Sequence, residues 1–153
     1  MDTVSVWSVD NKYYFVTVID IVTKYAWVKM VPSPSSKQAK LSFVEFEKEY
    51  SHSLRVVQTD NGSEFLGKFD NYLTQIKIKH EFIYQKRPKV NSVIERFNRT
   101  IQEEFIERND DLMITDKEKF TEKLTNYQIW YNTKRPHYSL GQLSPLEYMK
   151  RFD

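Results

Sequence analysis

Three carboxylates stand where a purely structural role is hard to supply: Asp2, Asp60 and Glu95. Asp60 closes a short β-rich run and is followed at once by Asn61-Gly62, a strong turn signal. Asp2 opens the first β-rich run, and Glu95 falls in what reads as the first turn of a helix, just after a basic, proline-bearing stretch. Hard divalent cations take oxygen ligands, and Mg2+ binds through a few carboxylates while keeping water and phosphate oxygens. Two such ions, about 3.5–4 Å apart, can activate an attacking oxygen and stabilise the leaving one in a phosphodiester displacement. Each residue also has an ordinary reading. Asp60-Asn61-Gly62-Ser63 is also a turn sequence. Glu95, three residues after Ser92, also completes a capping box. Asp2 also reads as a solvated terminal residue. Asp20, ending the second apolar run, is a rival ligand or a buried acceptor for turn backbone, and Asp10 belongs to a hairpin turn. Residue types alone leave these readings open.

The elements that must position these groups are legible in outline. Residues 3–9 alternate and are β-branched, Asp10-Asn11 is a turn pair, and Tyr13 to Ile21 is a second β-rich run, so the start predicts an antiparallel hairpin. Lys24 to Val31 reads as a third strand, stopped by Pro32 and Pro34. Ser35-Ser36 can cap a helix to about Tyr50, with Leu41, Val44 and Phe43 facing inward. A strand over Leu54 to Thr59, a helix over roughly 66–76 and a strand over Glu81 to Tyr84 follow. The segment QKRPKVN reads as a loop. Ser92 to Glu107 then makes a helix striped by Ile94, Phe97, Ile101 and Phe105. Thr115 to Asn132 makes another, opened by a Thr115-x-x-Glu118 capping box and striped by Phe120, Leu124, Tyr127 and Tyr131. A last helix starts at Ser144 with Pro145 first and Glu147 completing the cap. Strands alternating with helices after a meander predict an α/β fold with a five-stranded mixed sheet flanked by helices. A crossover from the third strand would bring the 54–59 strand beside the first, with the hairpin placing Asp2 opposite Ile19 or Asp20.

Composition sets bounds. A chain of 153 residues with 40% hydrophobic content makes one core domain. Without cysteine there are no disulfides and no thiolate metal sites, which fits a cytoplasmic protein. No apolar run reaches bilayer length, so no membrane partner is expected. The net charge of +2 is a weak pointer to nucleic acid, but Lys77, Lys79, Lys86, Arg87, Lys89, Arg96 and Arg99 crowd one stretch.

TDNGSEF (59–65), PKVNSVIERFNRTIQEE (88–104) and YNTKRPHYSLGQLSPLEY (131–148) occur in that order. Together they resemble the integrase core domain shared by retroviral integrases and bacterial insertion-sequence transposases, over nearly the whole chain. The resemblance implies an RNase H-like fold carrying an Asp, Asp, Glu triad that holds two Mg2+ or Mn2+ ions. The second Asp, in Thr-Asp-Asn-Gly, corresponds to Asp60, and the Glu before Arg-Phe corresponds to Glu95. The 34 residues between them suit the family. For the first Asp, Asp2-Thr3 precedes Val18-Ile19-Asp20 by 18 residues, as in bacterial members, whereas Asp10 after Trp7 falls in the hairpin turn. Asp2 is therefore the choice, with Asp20 and Asn61 supporting the site.

The resemblance further implies DNA as partner and two phosphoryl transfers. Water hydrolyses a phosphodiester at an element end, and the freed 3′-OH attacks target DNA. Lys86, Arg87, Lys89 and Asn91 before the helix, and Asn98, Arg99 and Gln102 on the face of Glu95, are the expected DNA contacts. Arg99 paired to Glu95 or Glu103 is the alternative. His137 is expected in packing or at the DNA backbone. Relatives assemble on paired DNA ends, so a homodimer or larger oligomer on DNA is expected, in a bacterial cytoplasm. Full-length relatives carry an N-terminal helix-turn-helix region, so the chain reads as an excised core or the product of a truncated gene. The rival readings are an inactive or domesticated core kept for DNA binding or assembly, and a nuclease acting on RNA–DNA hybrids.

Overall fold

The structure is a computed structural model and describes residues 1–83 and 88–152, with residues 88–91 as backbone. Its residues divide between two compact units, Met1–Thr17 with Lys29–Ser92 and Val18–Val28 with Val93–Asp153. Among the described residues the strands form two sheets, an antiparallel one of order β1-β2-β3 and a parallel pair β4-β5. They comprise β1 (Asp2–Ser8), β2 (Asn11–Ile19), β3 (Ala26–Val31), β4 (Val56–Thr59) and β5 (Lys79–Phe82). The expectation of one five-stranded sheet is corrected accordingly. β4 has only four residues, and the bond from the Met1 ammonium to the Gln58 carbonyl at 2.8 Å, beside the start of β1, is no ladder.

In the first unit, β1 and β2 pair from Asp2↔Thr17 to Ser8↔Asn11, around a two-residue turn at Val9-Asp10. The turn lies one position earlier than Asp10-Asn11, which moves the partner of Asp2 from Ile19 to Thr17. Such a two-residue slip preserves the faces, and this register sets Val4 opposite Phe15, both buried. It leaves Val9, a β-branched residue, at φ 52°. Ser35 caps α1 (Ser36–Glu49) by accepting from the Gln38 N–H. The inward face of α1 is Ala39, Ser42, Phe43 and Phe46, while Leu41 is 43% exposed. The expected Leu41–Val44 face is thus rotated, because aromatic bulk decides it. Phe43 meets Phe69 of α2 (Lys68–Gln75) edge-on at 5.8 Å, and Phe69 meets Phe65 at 5.6 Å. β4 and β5 run parallel in the register Val57↔His80 and Thr59↔Phe82. β5 starts earlier than Glu81, and Tyr84 lies outside the described residues.

In the second unit, the backbone turns tightly between Asp20 and Tyr25, with bonds from Asp20 N to Tyr25 O at 2.9 Å and from Lys24 N to Asp20 O at 3.0 Å. α3 spans Pro88–Ile101, so the expected QKRPKVN loop is partly helix. Proline suits a first helical turn, where its missing N–H has no intrahelical partner to lose. Glu95 is therefore two turns into the helix, and the capping-box reading with Ser92 falls away. α3 runs into a π turn, Gln102–Ile106, closed by a bond from Glu107 N to Gln102 O at 3.0 Å. Phe105 and Ile106, consecutive within it, are both buried. A short helix α4 (Asp110–Thr115) precedes α5 (Lys117–Thr133). The cap of α5 is Asp116, whose carboxylate accepts from Lys119 N at 3.0 Å, and not Thr115, the last residue of α4. Phe120, Leu124 and Tyr131 of its stripe are buried. Phe105 packs on Phe120 at 5.4 Å and Phe97 on Tyr131 at 5.3 Å. Ser144, Pro145 and Glu147 open α6 (Pro145–Met149) with the expected reciprocal cap. Among the described residues, no helix is long and apolar enough to cross a membrane.

Candidate functional site

Asp60 is the first residue beyond β4, and it is exposed. One of its oxygens, Oδ1, accepts the Gly62 N–H at 2.9 Å, which curls the chain back on the carboxylate. Gly62 is needed for that approach. A Cβ there would lie 2.9 Å from Asp60 Oδ1 and 2.5 Å from Glu64 Oε2, so a second carboxylate stands at the same turn. Asp2 is half-buried, and its Oδ1 accepts the Thr3 N–H at 2.8 Å. The Met1 ammonium, bonded to the Gln58 carbonyl, lies within electrostatic range of both. Burial pushes its pKa down to about 6, while the charges of Asp2 and Asp60 both work to raise it. A positive charge at that point is thus within electrostatic reach of both carboxylates. Hard oxygen donors around a cation are the donor chemistry that Mg2+ or Mn2+ takes.

The second unit holds the other two acidic candidates. Asp20 Oδ1 accepts the N–H groups of Val22 and Thr23, both at 2.7 Å, so Asp20 organises its own turn. Lys24, whose ammonium donates to the Ile21 carbonyl, has its pKa lowered by burial first and by the charge of Arg96, against the raising effect of Asp20. The Asp20 turn is therefore within electrostatic reach of Arg96, the residue after Glu95 in α3. Glu95 and Arg99 are exposed, and Gln102 is half-buried. Asn98, expected on the same exposed face, is buried at 8% exposure, so the solvent face of α3 is narrower than its spacing implied. Lys89 and Asn91 lie in α3 and not in a loop, with side chains outside the described residues, as are Lys86 and Arg87 altogether. Among the described residues, no three of His, Asp and Glu gather into a metal-ligating group.

Residue patterns missed the polar framework of the second unit. Asn132 of α5, buried at 3% exposure, accepts from Ala26 N at 2.9 Å and donates to Ala26 O at 2.8 Å, standing in for a strand partner. Gln128 accepts from Val28 N at 2.7 Å in the same way. Glu104 takes Arg135 in two bonds, at 2.5 and 3.1 Å, and the Tyr127 hydroxyl at 2.7 Å. Burial works to raise the Glu104 pKa, but these bonds bring it below its ordinary value. Burial first, then Glu104, drives the Tyr127 pKa up. Arg135 is thus committed to an internal pair. His137 packs edge-on against Tyr131 at 4.8 Å, and burial, then the charge of Arg135, lowers its pKa to about 4. That fits the packing role expected of it. Within the Tyr-Asn…Arg-Pro-His string, Asn132 serves the backbone of a distant strand, Arg135 pairs with Glu104 and His137 packs on Tyr131.

Comparison with known proteins bears on the whole chain. Residues 76–145 match the family model described as an integrase core domain. A putative integrase, ORF3 of Spiroplasma virus SpV1-C74, is 27% identical over 95% of this chain and 44% of its own length. The transposase for insertion sequence element IS904 of Lactococcus lactis is 30% identical over 67% of this chain and 40% of its own length. The chain thus spans less than half the length of these curated relatives. Among solved structures, the catalytic core domain of BIV integrase superposes with a TM-score of 0.75 at 18% identity, covering 99% of this chain and 93% of that one. The HTLV-2 integrase catalytic core domain in complex with magnesium gives 0.76 at 18% identity, covering 96% and 91%. The likeness is one of fold, and that fold is RNase H-like.

Proposed function

Starting from a chain whose relatives are integrases and insertion-sequence transposases, we propose that it is the catalytic core of a DNA strand-transfer enzyme. The observation that carries this is the Asp60 turn. A carboxylate held at the open end of β4 by Gly62, with Asp2 acting on the same neighbouring charge, serves no fold that a neutral turn would not serve as well. Asp2, Asp60 and Glu95 would hold the divalent cations, with Asp20 and Asn61 supporting them. A pair of Mg2+ or Mn2+ ions, when bound, supplies charge neutralisation for both the attacking and the leaving oxygen. The magnesium in the HTLV-2 core supports that choice of ion.

The chain's own residues bind and orient DNA. Arg99 and Gln102, together with Lys86, Arg87, Lys89, Asn91 and Asn98, are the proposed contacts along α3 and the segment before it. Phosphate contacts of this kind set register more than sequence preference. In the first step water breaks a phosphodiester and leaves a 3′-OH. In the second that hydroxyl attacks a target phosphodiester and releases another 3′-OH. No side chain becomes covalently attached. Assembly on paired DNA ends as a dimer or larger oligomer, in a bacterial cytoplasm, belongs to the same reading.

The test is strand nicking on an end-mimicking duplex with Mg2+ or Mn2+. Asp60→Asn and Glu95→Gln are each expected to lower the rate by at least about a hundredfold, as loss of a group acting at the reacting phosphate does. Undiminished nicking in both variants removes these residues from the chemistry. DNA binding with no nicking in the parent, and no Mn2+ uptake through Asp60, favours an inactive core kept for binding or assembly.

A further inference from the structure

The first unit contains a chain of hydrogen bonds that the chemistry above does not use. Asp70 lies in α2, His80 in β5 and Thr59 at the end of β4. His80 Nδ1 pairs with Asp70 Oδ1 at 2.8 Å, and His80 Nε2 pairs with Thr59 Oγ1 at 2.8 Å. Thr59 Oγ1 also lies 2.8 Å from the Asp60 carbonyl, so its one proton serves either that oxygen or His80 Nε2. The imidazole is only 5% exposed, and Thr59 1%. The ring sits between Phe69, edge-on at 5.5 Å, and Phe82, at 4.2 Å. Both ring nitrogens are thus spoken for, in a position where aromatic packing fixes the plane of the ring.

An apolar side chain would fill this space between two phenylalanines without needing partners, since burying a polar ring has a cost unless its atoms are bonded. What the histidine adds is connection. β4 is four residues long and ends at Thr59, and Asp60 follows with no strand partner of its own. Such a short strand end frays unless tied. The Ile83 N–H holds the Thr59 carbonyl at 2.7 Å, and the His80 ring holds the Thr59 side chain. Between them they set the orientation of the peptide from which the Asp60 carboxylate projects.

We infer that His80 is a positioning residue: anchored on Asp70, it acts through the Thr59 hydroxyl to hold the Asp60 end of β4 in place. As a contribution to catalysis this rests on the strand-transfer reading, but the hold itself is measurable without any reaction.

Thr59→Val is nearly isosteric and removes only the hydroxyl, while Thr59→Ser keeps it. His80→Phe keeps a ring between Phe69 and Phe82 and removes both bonds. The first readout is amide hydrogen exchange at Gly62, whose N–H is held by Asp60 Oδ1. Thr59→Val and His80→Phe should each speed exchange at Gly62 by about tenfold or more, with Leu73 in α2 unchanged, since local opening is a property of the tied segment. Thr59→Ser should restore the parent rate. The double variant should match either single one, because both cut one chain of bonds. The second readout is Mn2+-dependent nicking, where both variants should lower the maximal rate by about tenfold and leave the half-saturating duplex concentration unchanged. Parent-like exchange at Gly62 in Thr59→Val, or additive effects in the double variant, overturns the inference whatever the nicking assay gives. A parent that nicks no DNA overturns the strand-transfer reading alone, and the exchange data still decide the positioning role.

Discussion

Gly62 has no side chain, and one added there would crowd two carboxylates. A Cβ would fall 2.5 Å from Glu64 Oε2 and 2.9 Å from Asp60 Oδ1. Glu64 is a flexible side chain and can swing away, whereas Asp60 is held to the Gly62 N–H. Gly62→Ala is therefore expected to leave the melting temperature nearly unchanged and to lower nicking by about tenfold or more, the usual effect of misplacing a reacting group. Equal nicking would mean that the Asp60 carboxylate tolerates displacement. At the other end of the chain, Asn132 serves both backbone groups of Ala26. Asn132→Ala leaves a buried N–H and a buried C=O unpaired, which should cost about 2–4 kcal/mol in urea unfolding. The types of Asp60, Gly62 and Asn132 were all legible in the sequence, but the role of Asn132 was not. Nothing local distinguishes an asparagine that caps a distant strand from one that faces solvent.

Among the described elements, the sequence located each strand and most helices, and erred at their ends. α3 begins at Pro88 and not at Ser92, because proline marks a helix start as readily as it marks a loop. The start of α5 was placed at Thr115 because Thr-x-x-Glu has the letters of a cap, yet Asp116 does the capping. The two assignments predict different outcomes. Asp116→Ala should destabilise the chain by about 1 kcal/mol in thermal unfolding, and Thr115→Ala by less. The reverse order would restore the sequence-based cap. The π turn at Gln102–Ile106 had no signal at all, though Phe105 and Ile106 within it are both buried.

At the scale of the whole molecule, one buried ring contributes to the response to acid. The pKa of His137 is lowered to about 4 from 6.5, by burial first and then by the charge of Arg135. In the unfolded chain the ring gains its proton as pH falls through 6.5, while in the folded chain it does so only near 4. Stability supplied by the neutral ring is thus fully present above pH 6.5 and is lost as pH falls from there towards 4. Urea unfolding across that window should show the decline, and His137→Phe should flatten it. A parent curve that is flat between these values would place the ring in contact with water.

What the sequence determined alone was the order of its elements and the identity of its acidic candidates. Periodicity, turn residues and ordered motifs are written within short windows, and they pointed to an α/β fold and an integrase-like core. Tertiary structure decided the register that pairs Asp2 with Thr17, the separation of the strands into two sheets, and the imidazole that ties Thr59 to Asp70. Each of these is a choice among partners remote along the chain, settled by which side chains can be buried together and which polar groups must then be bonded. No short window of residues contains that competition, so its outcome appears only once the chain is folded.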